Sequence, residues 1–270
     1  MLPIKTTVTF IVFCSLFFAP PSVSASNDLL KMLYLKEKKK KEKDEGINLS
    51  GEFGVLAANG NTNTTTFKAA LRSEHETTHW SNNYGGEITY KQNEVENDII
   101  VSAQRLFLNA QLDYKLPAKN KRLFVYAEYE DDRFNGFRYQ SALATGWSAH
   151  AWKEENSQLR YSIGPGYSYS EREVVDAENH KSYDILKEVI VRASLDYRFS
   201  FNKNAKFRQF LSTEAGQESN RSRSETSISA NLVETLAMKL SFVMSYNDGT
   251  LQQNEDLSTE TSISLVYQFF

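Results

Sequence analysis

Hydrophobic and polar side chains alternate along most of the chain from Ile47 onward, in runs of about ten to sixteen residues. In one run every second residue from Leu106 to Tyr114 is apolar, and Asn109, Gln111 and Asp113 lie between them. A period of two is typical of β-strands, because successive side chains point to opposite faces of a sheet. The pattern therefore predicts twelve strands, starting near residues 47, 63, 82, 99, 121, 138, 158, 184, 205, 222, 237 and 258.

Two architectures produce this alternation. A soluble sandwich or lipocalin-like barrel turns its apolar face inward, whereas a membrane barrel turns it outward to lipid. The even number of strands and the short connections favour antiparallel neighbours throughout.

Aromatic side chains favour the membrane barrel, because rings fall at both ends of the predicted strands. At one boundary they are Trp80, Tyr114, Trp152, Phe199 and Phe269, and at the other Tyr90, Tyr129, Tyr169 and Tyr246. Two belts of amphipathic rings are typical of a barrel at its two membrane–water interfaces. The sequence therefore predicts an all-β protein, a transmembrane antiparallel up-and-down β-barrel of about twelve strands.

The lengths of the predicted connections indicate an orientation. Outer-membrane barrels have short periplasmic turns and longer outer loops. The short set includes the turn predicted at 80–83, and the other set includes the two longest connections, 171–184 and 247–257. Both the N- and C-termini of the barrel are therefore expected in the periplasm.

The first residues have the features of a signal peptide, which we predict over residues 1–25. Lys5 precedes an apolar run that is shorter than the ~20 residues needed to span a bilayer as a helix, and a small-x-small cleavage site ends at Ala25. Cleavage would remove Cys14, the only cysteine. A lysine-rich, partly helical periplasmic extension is predicted over residues 26–46. The alternative is that this segment is a basic arm that binds an anionic partner. The barrel is predicted over residues 47–270.

Composition excludes some functions. The formal net charge of −3 and the pI near 5.9 give no sign of the basic surface that a nucleic-acid-binding protein needs.

The four histidines are His75, His79, His150 and His180. The first two are expected on one face of the second strand, about 13 Å apart, which is too far to share a metal. No serine–histidine–acid pattern is visible, so we expect no enzyme, metal or cofactor, although a catalytic site assembled from different strands would escape this test.

The candidate site consists of charged residues on the polar faces of the strands, which would line the lumen. They are Arg72, Arg105, Asp113, Glu128, Glu130, Arg160, Arg192, Asp196 and Arg198. Opposite charges can form a cross-strand ladder that fills the interior, or they can line a water-filled path. Twelve strands lie between the small filled barrels of eight and the open porins of sixteen. We favour a narrow or mostly filled lumen.

Pro165, which lacks a backbone donor, is expected at a β-bulge.

Several ordered motifs over residues 47–270 carry a resemblance. They are SGEFGVLAANGNTNTTTF, YAEYEDDRFNGFRYQSALATGW, RYSIGPGYSY, SRSETSISANLVETLAMKLSFVMSYND and the terminal SISLVYQFF. They resemble an uncharacterised family of bacterial outer-membrane proteins, some described as salt-induced. The resemblance implies an outer-membrane barrel and no known activity.

The last strand is similar to the terminal strand of outer-membrane barrels, in which an aromatic-x-aromatic ending acts as an assembly signal. Tyr267 and Phe269 match that pattern, and Phe270 lies one residue past the usual stop. The expected partners are outer-membrane lipid and the barrel-insertion machinery, with the protein a monomer.

We expect a structural, envelope-stress or narrow-channel role. The alternatives are a porin for small solutes or ions, an outer-membrane enzyme, and a soluble lipocalin-like protein.

Overall fold

The structure, a computed structural model, describes residues 46–58, 63–95, 98–118, 120–132, 137–175, 181–249 and 257–269. The predicted signal peptide, the extension up to residue 45, His180 and Phe270 lie outside the described residues. Gly46, which was predicted to end the extension, is the first residue of the first strand.

Twelve strands follow one another along the chain. They are β1 (Gly46–Ala58), β2 (Asn63–Glu76), β3 (Trp80–Val95), β4 (Asp98–Lys115), β5 (Lys121–Asp132), β6 (Phe137–Lys153), β7 (Ser157–Val175), β8 (Lys181–Ser200), β9 (Ala205–Ala215), β10 (Asn220–Val233), β11 (Leu236–Asn247) and β12 (Leu257–Gln268). Each strand pairs antiparallel with its neighbours in sequence, and β1 pairs with β12, so the sheet closes into a barrel. This confirms the predicted fold class. Among the described residues there is no helix long and apolar enough to cross a membrane.

The wall of the barrel is apolar outside and polar inside. On β8 the outward Val189 is 69% exposed, whereas its inward neighbour Glu188 is 7% exposed. On β1 the outward Phe53 and Val55 are more than half exposed, and the inward Glu52 is 6% exposed. A soluble lipocalin-like barrel has the opposite arrangement, so the apolar outer face fits contact with lipid.

The two ends of the barrel differ in their connections. We call the end where β1 begins and β12 ends the terminal rim. Its connections are 77–79, 116–120, 154–156, 201–204 and 234–235. The opposite rim carries 59–62, 96–97, 133–136, 176–180, 216–219 and 248–256. The orientation of the two rims relative to the membrane stays a prediction.

Two predicted connections were wrong. Residues 80–83 begin β3, because Thr77 closes the preceding turn by donating its backbone N–H to the Trp80 carbonyl at 2.8 Å. Residues 171–184 are mostly strand, since β7 and β8 pair up to Val175 and Lys181. An ion pair of 2.7 Å between Arg172 and Asp184 supports that extended hairpin.

Aromatic rings form contacts near both rims. Toward the terminal rim, Trp80 contacts Tyr114 with ring centroids 5.1 Å apart, and Trp152 contacts Tyr197 at 6.2 Å. Toward the opposite rim the rings of three tyrosines stack in a row, with centroid separations of 6.2 and 5.8 Å. They are Tyr129, Tyr139 and Tyr169. The belts predicted from sequence therefore include rings packed against one another.

Strands β6 and β7 approach closely where Gly146 faces Gly164. A Cβ atom on Gly164 would lie 2.7 Å from the Cα of Gly146, and one on Gly146 would lie 2.6 Å from the Cα of Gly164. The prediction of a bulge at Pro165 was wrong. On the β8 side Pro165 is in register with Val191, and on the β6 side the register is the same before and after it. Pro165 therefore lies in a regular part of β7, without an inserted residue.

Candidate functional site in the lumen

The structure places all nine predicted charged residues on the inner face of the wall. Asp113, Arg192 and Asp196 are at most 5% exposed. The other six are partly buried, and their side chains line a central cavity, as does that of Arg192. They are Arg72, Arg105, Glu128, Glu130, Arg160 and Arg198. Alternation of period two positions them there, since each has outward-facing apolar neighbours.

Asp113 is the centre of a group of charges in the half of the lumen toward the terminal rim. It is fully buried, it accepts hydrogen bonds from Ser148 and Gln111, and it lies 3.4 Å from a nitrogen of Arg160. Asp196 lies 4.0 Å from the same guanidinium. This group joins strands β4, β6, β7 and β8 through side chains.

Asp196 also binds two further arginines. Its carboxylate accepts from Arg198 at 3.0 Å and from Arg208 at 2.9 Å. Arg198 in turn contacts Glu74 at 2.8 Å. Glu74 belongs to β2 and Arg198 to β8, six strands away in a ring of twelve. This ion pair therefore spans the lumen between opposite walls.

A second group lies where β1, β2, β3, β10 and β11 face the lumen. Arg72 has three acidic neighbours: Glu52 at 3.9 Å, Glu87 at 3.8 Å and Glu225 at 3.7 Å. Lys239 donates to Glu52 at 3.0 Å and to Glu225 at 3.1 Å. These charges alternate in space, so each acidic group has at least one basic partner.

Arg221 of β10 reaches across the lumen to the wall around β5. It contacts Glu128 and lies 3.4 Å from Glu130, and it binds Glu214 of neighbouring β9 at 2.6 Å. Arg105 binds Glu130 at 2.5 Å from the other side. Side chains from opposite walls thus meet here as well.

Aromatic side chains fill one part of the interior. Phe124, Tyr126 and Ala144 form a buried cluster. The guanidinium carbon of Arg192 lies 3.4 Å from the centre of the Tyr126 ring, and its Nε lies 3.4 Å from Glu214. A cation above an aromatic face is favourable, especially when both are removed from water.

A cavity of about 620 Å³ remains between these groups. Its lining includes ten lysine or arginine side chains and eight aspartate or glutamate side chains. The excess of two positive charges favours an anion over a cation inside it. The site is a polar, charge-lined space with limited room.

The beginning of the β11–β12 connection narrows the lumen at the opposite rim. Asn247 lies 3.4 Å from Gln140 of β6, and Arg172 of β7 donates to the carbonyl of Gly249 at 3.4 Å. A Cβ atom on Gly249 would lie 3.4 Å from the ring of Phe137. The chain therefore reaches from β11 to the far wall.

Sequence reasoning missed most of the partners of the nine residues. Those partners are Glu52, Glu74, Glu87, Arg208, Glu214, Arg221 and Glu225. Each occupies an inward position in the same period-two pattern, so the signal was present. Which charges would meet depends on the stagger of a closed barrel, which the pattern does not specify.

The histidines form no site in the described part of the chain. The prediction that His79 lies on the second strand was wrong, because β2 ends at Glu76 and His79 lies in the turn 77–79. Within the described residues no group of three or more His, Cys, Asp or Glu side chains is arranged to hold a metal ion.

Comparison with known proteins gives relatives without an assigned function. The chain is 23% identical over 268 residues to the uncharacterized protein YdiY of Escherichia coli (strain K12), covering 98% of both chains. The structure is similar to the NanC porin, with a TM-score of 0.47, 10% identity and coverage of 83% of this chain and 100% of the other. It is also similar to an outer membrane channel from Pseudomonas putida F1, with a TM-score of 0.46, 10% identity and coverage of 86% and 100%.

Neither structural likeness indicates what this chain does, because the scores are below 0.5 and the identities low. The profile of the family described as "Protein of unknown function, DUF481" matches residues 51–269. The match includes eleven strands entirely and most of β1. The chain belongs to this family of proteins of unknown function.

Proposed function

We propose that this protein is a monomeric outer-membrane barrel with a narrow channel, closed at rest by its lumen charges and weakly selective for small anions. The termini lie in the periplasm, and the protein has no catalytic role. The observation that supports this proposal is the ion pair between Glu74 and Arg198, which joins opposite walls at 2.8 Å.

The lining of the cavity supports the selectivity. Basic side chains exceed acidic ones by two among the residues that line it. Fixed charges act strongly in a narrow lumen because little solvent screens them. Small anions should therefore pass more readily than cations of the same size.

Removing the spanning pair should open the channel. In planar lipid bilayers we expect the wild-type protein to show very small or rare current steps. The double variant Glu74→Ala/Arg198→Ala should show steps several-fold larger, because both side chains leave the lumen while Asp196 keeps Arg208 as a partner. In a KCl gradient the reversal potential should report chloride preference.

A matched control removes the same residue types outside the lumen, on the outer face of the wall. Arg138 and Glu171 form a pair of 3.4 Å between β6 and β7, and the Arg138 side chain is 61% exposed. Arg138→Ala/Glu171→Ala should leave the conductance unchanged. Large wild-type steps would contradict a closed resting state, and equal steps in the lumen variant and wild type would contradict closure by the Glu74–Arg198 pair. Cation preference would contradict the selectivity.

We also propose that Tyr267 and Phe269 are the assembly signal read by the insertion machinery. Phe269 donates its backbone N–H to Leu49 at 2.8 Å, and its ring lies against Gly51, where a Cβ atom would be 3.1 Å away. The ring centroids of Tyr267 and Phe269 are 5.0 Å apart. The pair therefore covers the place where β12 meets β1.

Phe269→Ala should reduce the fraction of assembled barrel in cells several-fold, measured by heat-modifiable gel mobility. Phe201→Ala is the control, because Phe201 is 57% exposed in the connection between β8 and β9. Deleting Phe270 alone should have almost no effect. If that deletion already prevents assembly, the signal residue has been assigned one position too early.

A further inference from the structure

The junction between β1 and β12, which we call the seam, is paired over a much shorter stretch than other strand junctions. Its register runs only from Ser50↔Gln268 to Phe53↔Leu265. Every other neighbouring pair is registered over ten or more residues. Both strands nevertheless continue toward the opposite rim, β1 to Ala58 and β12 from Leu257.

Unpaired strand edges are costly inside a membrane. Lipid offers no hydrogen bonds, so backbone groups in a spanning barrel have to find partners elsewhere. The facing edges beyond Phe53 and Leu265 lack the ladder that would satisfy them. A polar group inserted between the two edges could supply donors or acceptors.

The lumen cavity extends to this seam. Its lining includes Gly54 and Val55 of β1, and Thr261, Ser262 and Ile263 of β12. Val55 and Ile263 face outward and are 54% and 55% exposed. Residues on both edges of the seam therefore border the cavity, and apolar side chains lie on its outer side. The strands stay in contact where the ladder stops, since a Cβ atom on Gly54 would lie 3.0 Å from the carbonyl oxygen of Ile263.

On the inner side, charged side chains hold the seam together. Lys68 of β2 donates to Glu260 of β12 at 2.9 Å, passing over β1. Glu52 of β1 accepts from Ser264 of β12 at 2.6 Å and from Lys239 at 3.0 Å. Side-chain bonds, which can exchange partners, thus tie the strands near the point where the backbone ladder stops.

We propose that the seam is a lateral binding site for a single-chain amphiphile with an anionic head group. The head group enters the cavity between Lys68 and the edge of β12, and the acyl chain lies outside against Val55, Phe53 and Ile263. Lys68 selects the anionic head, which replaces the Glu260 carboxylate as the partner of its ammonium group. The Lys68–Glu260 bond closes the site when it is empty. This site rests on the proposed membrane location and goes beyond ion passage through the lumen.

The test uses palmitate carrying a photoreactive diazirine in its chain, with the full protein in phospholipid vesicles. After illumination, mass spectrometry should find label on peptides of β1 and β12 next to the seam at several times the level on β10 and β11. The matching photoreactive hexadecanol, which has a neutral head group, should label the seam several-fold less. Glu260→Gln should increase palmitate labelling, because it removes a negative charge and reduces the ion pair with Lys68 to a weaker hydrogen bond.

A disulfide across the seam provides the second arm. Val55→Cys/Ile263→Cys, oxidised, should abolish the excess of seam label, and reduction should restore it. The control is Ile228→Cys/Leu240→Cys, whose positions pair across the fully registered β10–β11 junction. This control should leave seam labelling unchanged. Even labelling around the wall, or labelling indifferent to the seam disulfide, would overturn the binding site alone. Absence of label from the whole outer wall would overturn the site together with the membrane location.

Discussion

Gly164→Ala is expected to abolish assembly of the barrel, although it adds one methyl group. The new Cβ would lie 2.7 Å from the Cα of Gly146, and it would also meet the carbonyl oxygen of Thr145. Both obstacles belong to the backbone of β6, so no side chain can rotate away. The two strands would have to separate, which would break the hydrogen bonds between β6 and β7 near the buried side chain of Phe124. Forced overpacking of ~1–3 kcal/mol is the usual cost where side chains can adjust, and here the cost should be larger.

The measurement is heat-modifiable gel mobility of protein extracted from membranes, with the folded fraction as the readout. Gly46→Ala provides the control, because a Cβ on Gly46 would have no heavy atom within 4 Å. That variant should assemble normally. A Gly164→Ala protein that assembles as well as Gly46→Ala would show that the close approach of β6 and β7 is not required.

Asp113→Ala should cause the largest loss of stability among the lumen charges. Asp113 is fully buried, and its loss leaves Arg160 without its nearer acidic partner and two polar groups without an acceptor. Breaking a buried pair by removing one member typically costs ~3–5 kcal/mol, because the remaining charge is uncompensated. Urea unfolding in phospholipid vesicles should show a correspondingly lower midpoint.

The same substitution in an exposed ion pair is the control, because it removes a charge pair that is not buried. Asp184 binds Arg172 at 2.7 Å, but its side chain is 54% exposed, so Asp184→Ala should cost only ~0–1 kcal/mol. Asp113→Ala/Arg160→Met should recover a large part of the lost stability, since the unpaired cation is removed too. Equal midpoints for the two single variants would mean that burial does not strengthen the Asp113 interactions.

Much of the fold could be predicted because alternation carries the information. Each predicted strand begins within three residues of an observed one. Apolar residues such as Val189 and Val191 mark the outer face of a strand, and Glu188 lies on its inner face. The same alternation placed the nine lumen charges. It failed at residues 80–83, 171–175 and 181–184, where polar composition suggested turns but cross-strand pairing continues.

The contacts between charges could not be predicted from that pattern. Glu74 and Arg198 lie on inward positions of strands far apart in sequence, and their meeting depends on barrel closure and stagger. The short register of the seam was also invisible, because β1 and β12 have ordinary strand alternation up to their ends. Local sequence determines the face of a residue, and closure determines its partner.

The lumen bonds of Glu52 and Lys68 have a consequence for the order in which the barrel can form. Their partners Lys239 and Glu260 lie 187 and 192 residues further along the chain. Contacts of such long sequence separation form slowly, because most of the chain has to be brought together first. An N-terminal hairpin that entered the bilayer alone would carry Lys68 without Glu260, and Glu52 would have only Arg72 at 3.9 Å in place of the closer Lys239. Insertion strand by strand from the N-terminus is therefore disfavoured, and synthesis should be nearly complete before the barrel enters the membrane.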